Sequence, residues 1–167
     1  MTIPTKIDGF AIRHAEESDV PLILGFIKDL AAYEKLSHEV IATEEDFRQN
    51  LFGEKRFAEV VIGEFYTEPI GYALYFYNFS TFIGKPGIYL EDLYVKPEVR
   101  GKGFGKALLA YLARLAVDQN CGRFEWAVLD WNERSINFYE SLGATLMKEW
   151  IITRVADGKL EKLAAEF

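Results

Sequence analysis

The chain has 167 residues, half of them apolar, with 19 lysines and arginines against 26 aspartates and glutamates and one cysteine. That length allows a single domain, 1–167, whose core needs neither disulfides nor a structural metal, and a net charge of −7 argues against a nucleic-acid partner. Charges interrupt every apolar stretch before the roughly 20 residues of a membrane helix, and with a lone Cys121 and no basic-then-apolar leader in Met1 to Asp8 the expected location is the cytoplasm.

Phe10 to Arg13 alternates like a short strand, and Ser18 or Asp19 can then cap a helix in which Pro21 loses no hydrogen bond. Leu22, Ile23, Phe26, Ile27, Leu30 and Ala31 recur at helical spacing and give that helix one apolar face up to about Tyr33, with Glu34 at its exposed end. Thr43-Glu44-Glu45-Asp46 resembles a capping box, opening a shorter helix that stops at Gly53. Phe57 to Phe82 is rich in β-branched and aromatic residues and broken at Thr67-Glu68-Pro69, which predicts an antiparallel hairpin. A strand from Ile88 to Val95 follows, then a glycine-rich loop from Arg100 to Gly105 and a periodic helix to about Asn120. Phe124 to Leu129 predicts another strand, Asn132 caps a helix ending near Gly143, and Thr145 to Val155 predicts a last strand before a short helical tail. Hairpins followed by a βαβ crossover imply an α+β domain with a mixed, twisted sheet flanked by helices.

Three segments carry chemistry. Arg100-Gly101-Lys102-Gly103-Phe104-Gly105 lies between a strand and a helix, where backbone N–H groups and the helix dipole can converge on phosphate oxygens. It matches neither the dinucleotide fingerprint nor the Lys-Ser/Thr ending of a P-loop. The strand before it carries adjacent carboxylates, Glu91 and Asp92, which regular alternation would send to opposite faces. They either accept hydrogen bonds and ion pairs at a wet strand end or act on a substrate, and a charge in so apolar a strand favours function for at least one. In the third segment, Asp130 to Tyr139, composition alone reads Tyr139 as a core aromatic with its hydroxyl at a rim. His14 and His38 have no companions at ligand spacing, so no metal site is expected, and Cys121 reads as a structural thiol. The aromatic run Tyr72 to Phe79 reads as core plus a sheet surface that could pack on a second subunit.

Together, Tyr89-Leu90-Glu91-Asp92-Leu93-Tyr94-Val95, the Arg-x-x-Gly-x-Gly loop and Trp131-Asn132-Glu133-Arg134-Ser135-Ile136-Asn137-Phe138-Tyr139 resemble the GNAT N-acetyltransferases over nearly the whole chain. Within them they are similar to the spermidine/spermine and thialysine N-acetyltransferase group. The resemblance implies the GNAT fold and acetyl-CoA as co-substrate, its acetyl and pantetheine held by the backbone of Leu93, Tyr94 and Val95. Its pyrophosphate would lie on Arg100, Gly101, Lys102, Gly103, Phe104, Gly105 and Lys106, with Asn132 and Ser135 completing that site. Tyr139 matches the tyrosine that protonates the departing thiolate, and Glu91 the carboxylate that draws a proton from the amine through water. Tyr33, Glu34 and Asp92 match residues that meet the amine, with Glu125, Trp126 and Ala127 a weaker match. The group is dimeric, which implies a homodimer. Arg134 departs from the pattern, standing where the group has proline, and the run after Gly143 is shorter than in the animal polyamine enzymes.

A lysine-like amine is largely an ammonium at neutral pH and must lose a proton before it attacks a thioester, so a carboxylate that first attracts the cation and then relays its proton suits the acidic balance. The expected acceptor is a small diamine, polyamine or lysine analogue. A protein lysine or N-terminus, a non-catalytic acyl-CoA sensor and a nucleotide-binding module are the alternatives, the last disfavoured by the missing P-loop ending.

Overall fold

Strands β1 (Thr2–Pro4), β2 (Phe10–His14), β3 (Glu59–Phe65), β4 (Glu68–Ser80) and β5 (Lys85–Val95) pair antiparallel in chain order, and β6 (Arg123–Trp126) joins β5 in parallel. This mixed six-stranded sheet belongs to a computed structural model that describes residues 1–167. Its contacts separate Met1–Ala127, which contains the sheet, from a second unit, Val128–Phe167.

The centre of the sheet is covered on both faces, which is why Ile70 to Tyr75 is buried without alternation. On one face Ile23 and Phe26 of α1 (Val20–Tyr33) and Leu51 of α2 (Glu44–Phe52) pack on Val60, Tyr72, Leu74 and Tyr94. On the other, Phe104 at the start of α3 (Phe104–Asp118) packs against Phe10 and Phe65, with ring centroids 4.5 and 5.0 Å away. The predicted box holds α2: Asp46 N–H donates to the Thr43 hydroxyl and Thr43 N–H to the Asp46 carboxylate. At α1 Asp19 stands at the N-cap position, one of the two expected, but its side chain makes no cap hydrogen bond. A short 3-10 turn, Glu17–Asp19, precedes the helix, and the Asp19 carboxylate is taken by Glu16 N–H and by both terminal nitrogens of Arg13. The guanidinium hydrogen bonds hold that carboxyl below the ordinary aspartate range.

The hairpin turn falls at Tyr66 and Thr67, both in left-handed conformation, so Glu68 and Pro69 begin β4 instead of forming the turn. Pro69 pairs with Glu64, next to a register slip between Gly63 and Glu64, and an irregular ladder at a strand's start tolerates a residue with no N–H. Strand β5 likewise starts at Lys85, before the expected Ile88, and β6 stops at Trp126, short of Leu129. Helix α3 ends at Asp118 rather than Asn120.

The second unit contains α4 (Glu133–Ser141) and α5 (Gly158–Ala164). Asn132 caps α4, its Oδ1 accepting Ser135 N–H at 3.2 Å. The strand expected over 145–155 does not form. Its residues have the right pattern, but a strand exists only as half of a ladder, and the backbone bonds here are local: Lys148 N–H to Leu146 O and Trp150 N–H to Met147 O. No helix of the chain is long and apolar enough to cross a membrane.

Candidate active site

The β4–β5 ladder changes register beside the two carboxylates. Leu74 pairs with Asp92 but Tyr75 with Leu90, so Glu91 is the extra residue of a β-bulge. Regular alternation therefore does not hold at this point. Glu91 is exposed, whereas Asp92 is half-buried and accepts a hydrogen bond of 2.9 Å from the Tyr72 hydroxyl across the ladder. Tyr72 is fully buried, with its ring stacked on Phe26 at 5.6 Å. Burial raises the proton affinity of Asp92, the Tyr72 hydrogen bond opposes that rise, and the neighbouring Glu91 charge adds to it. Glu34, just past the end of α1, is likewise pushed up by burial and then by the Asp92 charge. Burial disfavours the charge on both Asp92 and Glu34, a cost that a cation relieves, and an ammonium supplies one.

Tyr33 directly precedes Glu34, and the Arg100 guanidinium lies 4.8 Å over its ring and 5.6 Å over that of Tyr94. Arg100 Nε donates to the Val95 carbonyl at 2.7 Å, so the arginine ties the end of β5 to the last turn of α1. The β5–β6 pairing ends at Leu90 and Trp126. Residues Glu91 to Val95 thus run past the end of β6 with no strand beside them on that side. The Tyr94 and Val95 side chains are buried, and the backbone is what the segment can offer a ligand.

Beyond Arg100 the loop turns through Gly101 (φ 83°) and Gly103 (φ 88°) into α3. A Cβ on Gly101 would meet nothing within 4 Å, so the left-handed backbone rather than crowding requires glycine there. This conformation delivers the chain into the first turn of α3, whose leading N–H groups have no partner within the helix. Phe104 is core, which fixes where the helix begins and leaves its backbone N–H as its contribution to the loop. The exposed Lys102 and the first-turn Lys106 add positive charge to the same loop. Donors, dipole and cations suit a pyrophosphate.

Glu125 and Trp126 lie on β6, followed by Ala127. The Glu125 carboxylate accepts from Asn78 Nδ2 at 3.0 Å and pairs with Arg123 Nε at 2.8 Å, and the Trp126 ring packs on Phe124 at 4.9 Å. In the second unit, Asn132 is buried beneath its cap, Ser135 lies in the first turn of α4, and Tyr139 follows about two turns after Asn132, half-buried beside Phe138. No cluster of three or more His, Cys, Asp or Glu side chains is arranged to hold a metal. Tyr72 and the Asn78–Glu125 contact were not legible in the sequence, because their partners are set by register across the sheet.

The profile of the acetyltransferase (GNAT) family matches residues 26–144. The chain belongs to that family. It is 40% identical to a thialysine N-epsilon-acetyltransferase of Sus scrofa, over 93% of this chain and 97% of the relative. It is 31% identical to an L-ornithine N5-acetyltransferase of Arabidopsis thaliana, over 97% and 91% of the two chains. Among solved structures, an integron cassette protein from the mobile metagenome of V. cholerae superposes with a TM-score of 0.78 at 28% identity, covering 93% of this acetyltransferase and 98% of that chain.

Proposed function

We propose that this acetyltransferase moves the acetyl group of acetyl-CoA to the primary amine of a small cationic acceptor, a diamine, a polyamine or a lysine analogue such as thialysine, by direct attack in a ternary complex. The observation that carries the reading is the half-buried Asp92, with Glu91 bearing on it and its own charge bearing on Glu34, in the strand that leads to a glycine loop suited to a pyrophosphate. The names of the relatives, thialysine and ornithine acetyltransferases, add support from molecules with a basic side-chain amine.

Acetyl-CoA supplies an activated acyl group on sulfur. The residues of this chain do the rest. Arg100 to Lys106 hold the pyrophosphate through backbone N–H groups and the Lys102 and Lys106 side chains, Asn132 and Ser135 complete that site by the resemblance, and the backbone of Leu93, Tyr94 and Val95 holds the acetyl carbonyl and the pantetheine, with strand N–H groups facing the acetyl oxygen as negative charge develops on it. Tyr33, Glu34 and Asp92 receive the ammonium, and Glu125, Trp126 and Ala127 border the same acceptor. Glu91 takes its proton through a water molecule, so that the free amine attacks. Tyr139 gives a proton to the sulfur as the carbon–sulfur bond breaks, leaving CoA thiol and N-acetylated amine. The working unit is the whole of 1–167, as a cytoplasmic homodimer. The dimer rests on the resemblance to a dimeric group and on apolar side chains exposed at Phe79, Phe82, Trp150, Ile151 and Ile152.

Glu91→Gln is expected to lower kcat about 100-fold near pH 7 and to lose less as the pH rises toward the pKa of the amine, where the acceptor is already free. A pH–rate profile parallel to that of the unmodified enzyme would take Glu91 out of the proton path. For the loop, Gly103→Ala places a side chain at a left-handed position, at a cost of about 1–2 kcal/mol, and should weaken acetyl-CoA binding about 5- to 30-fold by calorimetry. Gly84→Ala, at an equally left-handed position in the β4–β5 hairpin, should leave that affinity unchanged. Equal losses in the two variants would mean that the loop's conformation is not what binds.

The assay for the reading as a whole is thiol release from acetyl-CoA offered diamines, polyamines, lysine, thialysine and a lysine peptide. Turnover of one small amine supports it. Turnover of the peptide alone makes the chain a protein acetyltransferase, and acetyl-CoA binding without any turnover makes it an acyl-CoA sensor.

A further inference from the structure

We propose that Tyr72 is the positioning residue of the amine site: its buried hydroxyl, donated to Asp92, orients that carboxylate as an anion ready to receive the ammonium of the acceptor. The inference rests on the proposed reading, in which Asp92 binds the amine. Its own support is geometric. Tyr72 has no exposed surface, its ring is held by a nearly parallel stack on Phe26 (8° between planes), and its hydroxyl lies 2.9 Å from Asp92 Oδ2. A phenol at the end of a β4 side chain whose other contacts are apolar has no need of its oxygen for packing, since phenylalanine would fill the same space in that cluster. A buried hydroxyl is tolerated only when it is satisfied, and here what satisfies it is the carboxylate.

The charges around Asp92 explain why such a donor is needed. The groups that act on it are Tyr72 from β4 and Glu91 beside it on β5, and its own charge bears in turn on Glu34 at the end of α1. Burial and the neighbouring Glu91 charge both favour protonated Asp92, which could not pair with an ammonium. The Tyr72 hydrogen bond acts the other way, because a hydroxyl that donates to a carboxylate stabilises its ionised form. Tyr72 in turn is held far from ionising by burial and by the Asp92 charge, so it remains a donor at every pH at which the enzyme works. The hydrogen bond occupies Oδ2 and leaves Oδ1 as the oxygen that meets the ammonium. The bulge at Glu91 sets this up, since it is the register change that puts Asp92 in the ladder opposite Leu74, two residues from Tyr72.

The test is Tyr72→Phe, which keeps the ring stacked on Phe26 and removes one oxygen. The KM of the amine acceptor should rise about tenfold on the acid side of the pH profile and converge on the unmodified value as the pH rises and Asp92 ionises without help, while kcat at saturating amine stays within about twofold. In Asp92→Asn the same change should have no further effect on KM. A second measurement needs no turnover: the carboxyl carbon of Asp92, followed by NMR on the protein alone, should titrate at higher pH in Tyr72→Phe than in the unmodified chain. In the unmodified chain the ring carbon bearing the Tyr72 hydroxyl should follow the Asp92 titration. A KM–pH profile unchanged by Tyr72→Phe together with an unmoved Asp92 titration overturns the proposal, as does a loss confined to thermal stability. If no amine turns over in any variant the substrate reading fails, and the Asp92 titration alone then shows whether Tyr72 holds the carboxylate ionised.

Discussion

Tyr139→Phe is expected to lower kcat by about 100- to 1,000-fold while leaving acetyl-CoA affinity within about threefold. The size follows from the role: a thiolate leaving an acyl carbon beside a protonated hydroxyl departs as a thiol, and a positioned acid of this kind contributes about 10²–10⁴-fold. Phenylalanine preserves the ring that packs 5.4 Å from Phe138, so α4 and its Asn132 cap should be undisturbed. A single-turnover measurement of thiol release isolates the step, and calorimetry with acetyl-CoA checks binding. Unchanged turnover would remove Tyr139 as the acid, and a matching loss of affinity would make it a binding residue.

Asp92→Asn should trade function against stability. Removing the anion proposed to receive the ammonium is expected to raise the amine KM ~30-fold or more, with a smaller effect on kcat. The fold should gain, because burial raises the proton affinity of Asp92 above that of an unfolded aspartate. A carboxyl of that kind costs no stability below its ordinary range, where it is protonated in both states, and a growing amount as the pH rises through the interval up to its raised native value. The amide carries no such cost and can still accept the Tyr72 hydrogen bond. Tm should therefore rise by about 2–4 °C at pH 8 for each kcal/mol recovered, and this advantage should vanish near pH 3. A Tm that falls at pH 8 would show that the ionised carboxylate stabilises the native state, and with it the strained-anion account of the site would fail.

The two carboxylates show how far sequence reading reached. Their presence in an apolar strand marked them as functional candidates, and regular alternation predicted opposite faces. What separates them is instead a bulge, which requires the partner residues Leu74 and Tyr75 to be known. Glu125 shows the same limit: its likeness to a substrate-side residue was readable, and Arg123 lies two residues before it on β6, but its engagement by Asn78 depends on β4, two strands away in the sheet. The strand expected at 145–155 failed because pattern is a property of a segment, whereas pairing is a property of two.

By itself the sequence determined the features whose physics is complete within a few residues. The Thr43 box, the Asn132 cap and the glycines that turn the loop into α3 are each settled by hydrogen bonds or backbone freedom over one helical turn. Only the tertiary structure decided which carboxylate is exposed, which is held by a buried tyrosine, and where Arg100 stacks. Burial, ladder register and the charge of neighbours act through space, between residues that the chain separates by tens of positions.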